Sequence, residues 1–134
     1  MMEKLVKDER YLVGIATGGW RRPALTKLAF VGIATQQLIM SFADGKDCRE
    51  DILQEVIDRA KQMKVSIERI VYVGDAIWDV QTTRNMQIPL VGIRRAGDQE
   101  VLRKLGVQYI IKDYTDYEKF IHAVHHSEPP MLQV

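Results

Sequence analysis

Cysteine is nearly absent from this chain. Cys48 stands alone among 134 residues, which rules out an internal disulfide and a cysteine-rich zinc site. One free thiol fits a reducing compartment. No apolar run approaches the ~20 residues of a membrane-spanning helix, and the opening MMEKLVKDER is too charged to read as a secretory leader. A cytoplasmic protein with no membrane partner is therefore expected. Charge of one sign is lacking too: Lys and Arg total 19 against 18 for Asp and Glu. That balance gives no electrostatic footing for nucleic acid. Internal repeats, low-complexity tracts, the GxxxxGK(S/T) phosphate loop and the GxGxxG fingerprint are also missing.

What is there reads as an ordinary globular domain with 46% hydrophobic residues. Short apolar runs alternate with longer amphipathic ones. YLVGIA (11–16), QLIMSF (37–42), RIVYVG (69–74), IPLVGI (88–93) and QYII (108–111) predict strands. Helices are predicted over 22–31, with Pro23 tolerated in the first turn, and over 50–63, 78–86, 98–105 and 115–126. The 50–63 helix has the clearest stripe, Ile52, Leu53, Val56, Ile57 and Ala60. Asp47 is a candidate N-cap for it, and Gly106 suits the end of the 98–105 helix. Near-continuously apolar strands alternating with helices predict a parallel sheet covered on both faces, a three-layer α/β/α sandwich. Residues 11–126 form the expected core, between a charged segment 1–10 and a frayed tail 127–134.

In such folds ligands bind beyond the carboxyl ends of the strands. In VYVGDAIWDV (71–80), an apolar run stops at Gly74 and two carboxylates follow. Gly74 permits an unusual backbone angle and a close approach of ligand to main chain. Asp75 and Asp79 would share one helix face and could hold a hard cation such as Mg²⁺ between them. Equally, they could serve only to cap the helix and favour its positive end. Thr17, Gly18 and Gly19 follow the first strand. A hydroxyl, backbone N–H groups and a helix dipole there suit a phosphate, while a tight turn that needs glycine explains them as well. Lys46 and Arg49 precede the long helix, where a cation could neutralise a phosphate or simply be solvated. His122, His125 and His126 read as a solvated helix end, and Trp20 and Trp78 as core packing or loop cover. Arg94 and Arg95 could meet an anion or form a surface turn.

Taken in order, these pieces resemble the haloacid dehalogenase-like superfamily over roughly residues 11 to 124. An apolar strand ending in Thr17 resembles its second motif. Arg49, with Lys46 as the alternative, resembles its basic third motif. Gly74-Asp75-Ala76-Ile77-Trp78-Asp79 matches its fourth, Gly-Asp-x-x-x-Asp. The resemblance implies a Rossmann-like core and Mg²⁺-dependent hydrolysis of a small phosphorylated substrate through a phospho-aspartyl intermediate. It implies that Thr17 binds the transferring phosphoryl group with Gly18 and Gly19, that Arg49 or Lys46 offsets its charge, and that Asp75 and Asp79 hold Mg²⁺.

The superfamily's first motif, the Asp-x-Asp that carries nucleophile and general acid, has no counterpart. No two aspartates in this chain are separated by one residue. A truncated or inactive phosphohydrolase is thus expected, with first strand and cap missing. Its open sheet edges would be closed by a homodimer or a complementing N-terminal segment. The competing expectation is a non-catalytic α/β module that binds a phosphorylated ligand or regulates a partner. A receiver-like signalling domain fits less well, because its acidic pair belongs on an earlier strand.

Overall fold

The computed structural model describes residues 1–32 and 38–131. The chain forms two compact units, Met1–Ile67 and Glu68–Val134.

The first unit runs α1 (Met2–Lys7), β1 (Gly14–Ala16), α2 (Arg21–Phe30), β2 (Ile39–Ser41) and α3 (Arg49–Gln62). β1 and β2 pair in parallel, Gly14 with Ile39 and Ala16 with Ser41. Position 37, the start of the predicted second strand, lies outside the described residues. The α3 stripe behaves as its spacing predicts. Ile52, Leu53 and Ile57 are buried together with Met40 and Phe42. A Cβ on Gly14 would stand 2.6 Å from a Val56 methyl, so β1 lies directly against α3. Asp47 does not cap α3. The N-cap is Cys48, with no side-chain bond to the helix. Asp44 serves a different helix, its Oδ1 accepting the Arg21 N–H at 2.7 Å at the start of α2.

The second unit runs β3 (Tyr72–Gly74), α4 (Ile77–Met86), β4 (Leu90–Ile93), α5 (Glu100–Arg103), β5 (Tyr109–Ile111) and α6 (Tyr117–His126). Its sheet has the order β3-β4-β5 and is parallel throughout, Gly74 pairing with Gly92 and Ile93 with Ile111. The central strand β4 is buried from Leu90 to Gly92, so both its faces are covered, while β3 is half-buried throughout. Val80, Leu90, Leu102 and Val107 form a buried cluster, with Tyr72, Leu105 and Ile110 packed on it. All observed strand pairing is parallel and helices alternate with strands, as the α/β prediction requires.

The expectation of a frayed tail fails for residues 127–131. Ser127 is buried, and Arg69 donates to its carbonyl and, at 3.3 Å, to its hydroxyl. The Leu90 N–H donates to the Glu128 carbonyl at 3.2 Å, and Met131 N–H to Gly106 O at 3.4 Å. Two prolines pre-set this segment's extended course, and its backbone groups find partners, so it stays attached.

Candidate functional site

The residues singled out from the sequence fall into two groups, one in each unit. In the first, Thr17 follows β1, and its N–H donates to the Ser41 carbonyl at 3.2 Å, extending the β1–β2 ladder by one residue. Its hydroxyl accepts the Gly19 N–H at 3.1 Å, closing a tight turn. Gly19 O in turn accepts the Ala43 N–H at 3.0 Å, which ties this turn to the loop after β2.

Gly18 has a steric reason for being glycine. A Cβ there would lie 2.7 Å from Arg49 Nη2 and 3.0 Å from Cζ. The Arg49 guanidinium therefore lies across the Gly18 main chain, bringing the hydroxyl-glycine turn and the basic residue together. Neither Gly18 nor Gly19 has a positive φ. The turn does not need glycine for its angles; at Gly18 the missing side chain leaves room for the end of Arg49, whereas a Cβ on Gly19 would meet only ordinary contacts, Thr17 Oγ1 at 3.5 Å.

Lys46 is engaged elsewhere. Its ammonium pairs with Glu55 at 2.9 Å and donates to the Asp44 carbonyl at 3.3 Å. Glu55 also accepts from the Ser41 hydroxyl and from Arg59 at 3.1 Å. The Ser41 hydroxyl and then Lys46 hold the Glu55 carboxyl below its usual range. Lys46 thus ties the loop before α3 to Glu55 midway along that helix, whereas Arg49 reaches the turn after β1.

In the second unit, period-two alternation places Tyr72 and Gly74 on one face of β3, the face that α4 covers. Asp79, at the third position of α4, turns its carboxylate back onto this strand end. Its Oδ2 accepts the N–H groups of Asp75 and Ala76, each at 3.0 Å, and its Oδ1 accepts the Tyr72 hydroxyl at 3.1 Å. An anion in a helix's first turn is favoured by the dipole and satisfies otherwise orphaned donors. Gly74 makes the approach feasible. A Cβ on it would stand 2.6 Å from Asp79 Cγ and 2.9 Å from its Cβ. An unusual backbone angle is not the reason for this glycine, since its φ is not positive. The close approach is the reason, but the visitor is Asp79 rather than a ligand.

The two aspartates therefore have different jobs. Asp79 is buried and its oxygens face protein donors. That is the helix-capping alternative rather than the metal-ligand one. Asp75 is exposed. Its main chain is held on both sides, the N–H by Asp79 and the carbonyl by Arg94 Nε at 2.7 Å. No hydrogen bond or ion pair engages its carboxylate among the described residues. Nearby, the Tyr114 hydroxyl is pushed above its usual value, first by partial burial and then by the negative charge of Asp75. Sequence reasoning missed Tyr72, which the alternation of β3 could have revealed. It marked Arg94 after a strand, as an anion contact or a surface turn, but not its bond to the Asp75 carbonyl.

Among the described residues no cluster of three or more His, Cys, Asp or Glu could hold a metal. His122 and His126 stack at 4.1 Å on α6, with His126 Nδ1 against the His122 carbonyl at 2.8 Å. A lone carboxylate still suits Mg²⁺, which keeps several waters and is commonly bound by one or two carboxylates plus phosphate oxygens. Asp75 fits that use and Asp79 does not. No helix among the described residues is long and apolar enough to cross a membrane.

Parallel strands alternating with helices in both units define the class as a Rossmann-like α/β fold. Residues 1–93, more than half of the chain, match the family model described as haloacid dehalogenase-like hydrolase, and the protein belongs to that family. No curated protein matches the chain, and no solved structure does.

Proposed function

We propose that this chain carries the phosphate-binding and Mg²⁺-binding residues of a phosphohydrolase, and that by itself it recognises a small phosphorylated ligand with negligible turnover. The observation that carries this reading is Asp75: an exposed carboxylate, without a protein partner among the described residues, on a main chain fixed from both sides. Such a group is pre-organised for a hard cation. In the first unit, the Thr17 hydroxyl and the Gly18 and Gly19 turn would bind a phosphoryl group. Arg49 would offset its charge with a planar, bidentate donor. Asp79 would act on Asp75 by orienting it. When bound, Mg²⁺ would supply positive charge at the strand end that Asp75 marks.

Turnover requires a nucleophile, and none of the ten aspartates in this sequence stands in an Asp-x-Asp pair. A complementing segment that carries one would restore the reaction. A second copy of this chain could cover open sheet edges but would bring no Asp-x-Asp. The same absence favours the second reading, a non-catalytic module that binds a phosphorylated ligand and regulates a partner. The single free thiol supports a cytoplasmic setting, and the even charge balance supports no role on nucleic acid.

The test is p-nitrophenyl phosphate hydrolysis with and without Mg²⁺, alongside amide NMR titrations with Mg²⁺ and inorganic phosphate. A 15.4 kDa chain suits such spectra. Expected are Mg²⁺ shifts near Asp75 that vanish in Asp75→Asn, phosphate shifts near Thr17, and no Mg²⁺-dependent turnover. Turnover that disappears in Asp75→Asn would mean a carboxylate here replaces the missing nucleophile. Absence of Mg²⁺ shifts in the wild type would sink the metal assignment.

A further inference from the structure

We infer that Arg94 is a positioning residue for the Asp75 carboxylate, itself held in place by Asp98; this rests on the reading of Asp75 as the Mg²⁺ ligand. Arg94 follows β4, and its N–H donates to the Ile111 carbonyl at 3.0 Å, so its main chain is anchored to the end of β5. Its carbonyl accepts from Gln99 Nε2 at 3.1 Å. From that fixed base the side chain reaches across to β3, and Nε donates to the Asp75 carbonyl at 2.7 Å. Nη1 pairs with Asp98 Oδ2 at 3.1 Å, one helical turn along in sequence. The Arg94 side chain is largely covered, 23% exposed, whereas Asp98 is 58% exposed.

The two side chains on the Asp75 peptide groups come from different elements. Asp79 fixes the N–H from α4, and Arg94 fixes the carbonyl from the end of β4. With both held, the backbone at residue 75 has little freedom, and only side-chain rotation remains to the carboxylate. A ligand with one protein carboxylate depends on such support more than a crowded site does, because no second protein oxygen corrects a misplaced first.

Charge alone would argue against an arginine here. A guanidinium beside a cation site repels the cation, and Asp98 offsets only part of that. Position and electrostatics therefore predict opposite signs. If Arg94 acts by holding Asp75, removing it weakens Mg²⁺ binding. If it acts only through its charge, removing it tightens binding.

The experiment is amide NMR titration with Mg²⁺ on the wild type, Arg94→Met, Arg94→Lys and Asp75→Asn. Arg94→Met is expected to weaken Mg²⁺ about tenfold, the usual scale for a group supporting a metal ligand. Amide shifts of the β3–β5 core should stay in place. Unchanged or tighter binding in Arg94→Met overturns the inference. Should that variant fail to fold, Arg94→Lys decides. It keeps the charge but cannot bridge Asp75 and Asp98 with the same fork, so weaker binding supports positioning and unchanged binding refutes it. Wild-type Mg²⁺ affinity in Asp75→Asn would instead refute the metal reading underneath, whatever the Arg94 variants do.

Discussion

Replacing Gly74 by alanine tests the packing of Gly-Asp-x-x-x-Asp most directly. The new methyl would sit 2.6 Å from Asp79 Cγ and 2.9 Å from its Cβ. Those atoms belong to the root of a short side chain on α4, so they cannot swing aside as a long side chain's tip would. The carboxylate must leave. It then gives up two N–H bonds at 3.0 Å and the Tyr72 hydroxyl at 3.1 Å. Hydrogen bonds to a charged group contribute about 1.5–3 kcal/mol each. Water reaches the exposed Asp75 end and replaces part of that, so a loss of about 3 kcal/mol is expected. Alanine's lower backbone entropy returns about 0.5–1 kcal/mol. Asp79→Ala should cost a similar amount, because it strands the same donors. The double variant is the decisive one. With Asp79 cut back to its Cβ, the methyl at position 74 displaces no carboxylate and keeps only the 2.9 Å contact to that atom, so the two losses should not fully add. A coupling of about 2–3 kcal/mol is expected for residues in such contact. Urea unfolding followed by fluorescence in a Trp20→Phe background, where only Trp78 on α4 reports, measures it. Additive losses, or an Asp75 amide that exchanges no faster in Gly74→Ala, would refute the reasoning.

Three further outcomes follow from the geometry. Glu55 has its folded pKa depressed, chiefly by the Ser41 hydroxyl and then by Lys46. The stability it contributes is present above the unfolded carboxyl's range and is lost as pH falls through the lower folded value. Wild type should exceed Glu55→Gln in urea midpoint at neutral pH, with the gap closing below the ordinary glutamate value of 4.5; a gap independent of pH would contradict this. Gly18→Ala meets only the far end of the long Arg49 side chain, 2.7 Å from Nη2, so stability should change by less than about 1 kcal/mol. Phosphate affinity in the NMR titration should still fall severalfold, and an unchanged affinity would remove Arg49 from the phosphate role. Gly106→Ala forces a side chain into φ +94 and against the Met131 main chain, with N at 2.9 Å. It should cost about 2 kcal/mol and speed hydrogen exchange at the Leu90 N–H, which donates to Glu128; protection equal to wild type would show that the tail docks independently of Gly106.

The order of elements is legible in the sequence, because each periodicity has one physical cause. The α3 stripe Ile52, Leu53, Val56 and Ile57 can only bury itself as a helix, and the β-branched runs before Gly74 and Ile93 can only bury both faces as parallel strands. Apolar runs overstate strand length, since they continue past the residues that actually pair: YLVGIA shortens to Gly14–Ala16. The positions of Thr17, Arg49 and Asp75 after their elements are equally legible, as are their chemical types. Sequence cannot divide the labour among them. Asp75 and Asp79 look alike on a helix wheel, but the face of β3 that α4 covers turns one carboxylate inward onto N–H groups and leaves the other outward. Lys46 and Arg49 look alike before α3, but only the longer planar side chain lies across Gly18 while Glu55 holds the lysine. The tail 127–131 looks free in sequence because its partners, Arg69, Leu90 and Gly106, lie far back along the chain. Sequence by itself determined the α/β class, the family and which residues face the strand ends. Tertiary structure alone decided which of them remain available to a ligand, because availability depends on what other chain segments have already bound.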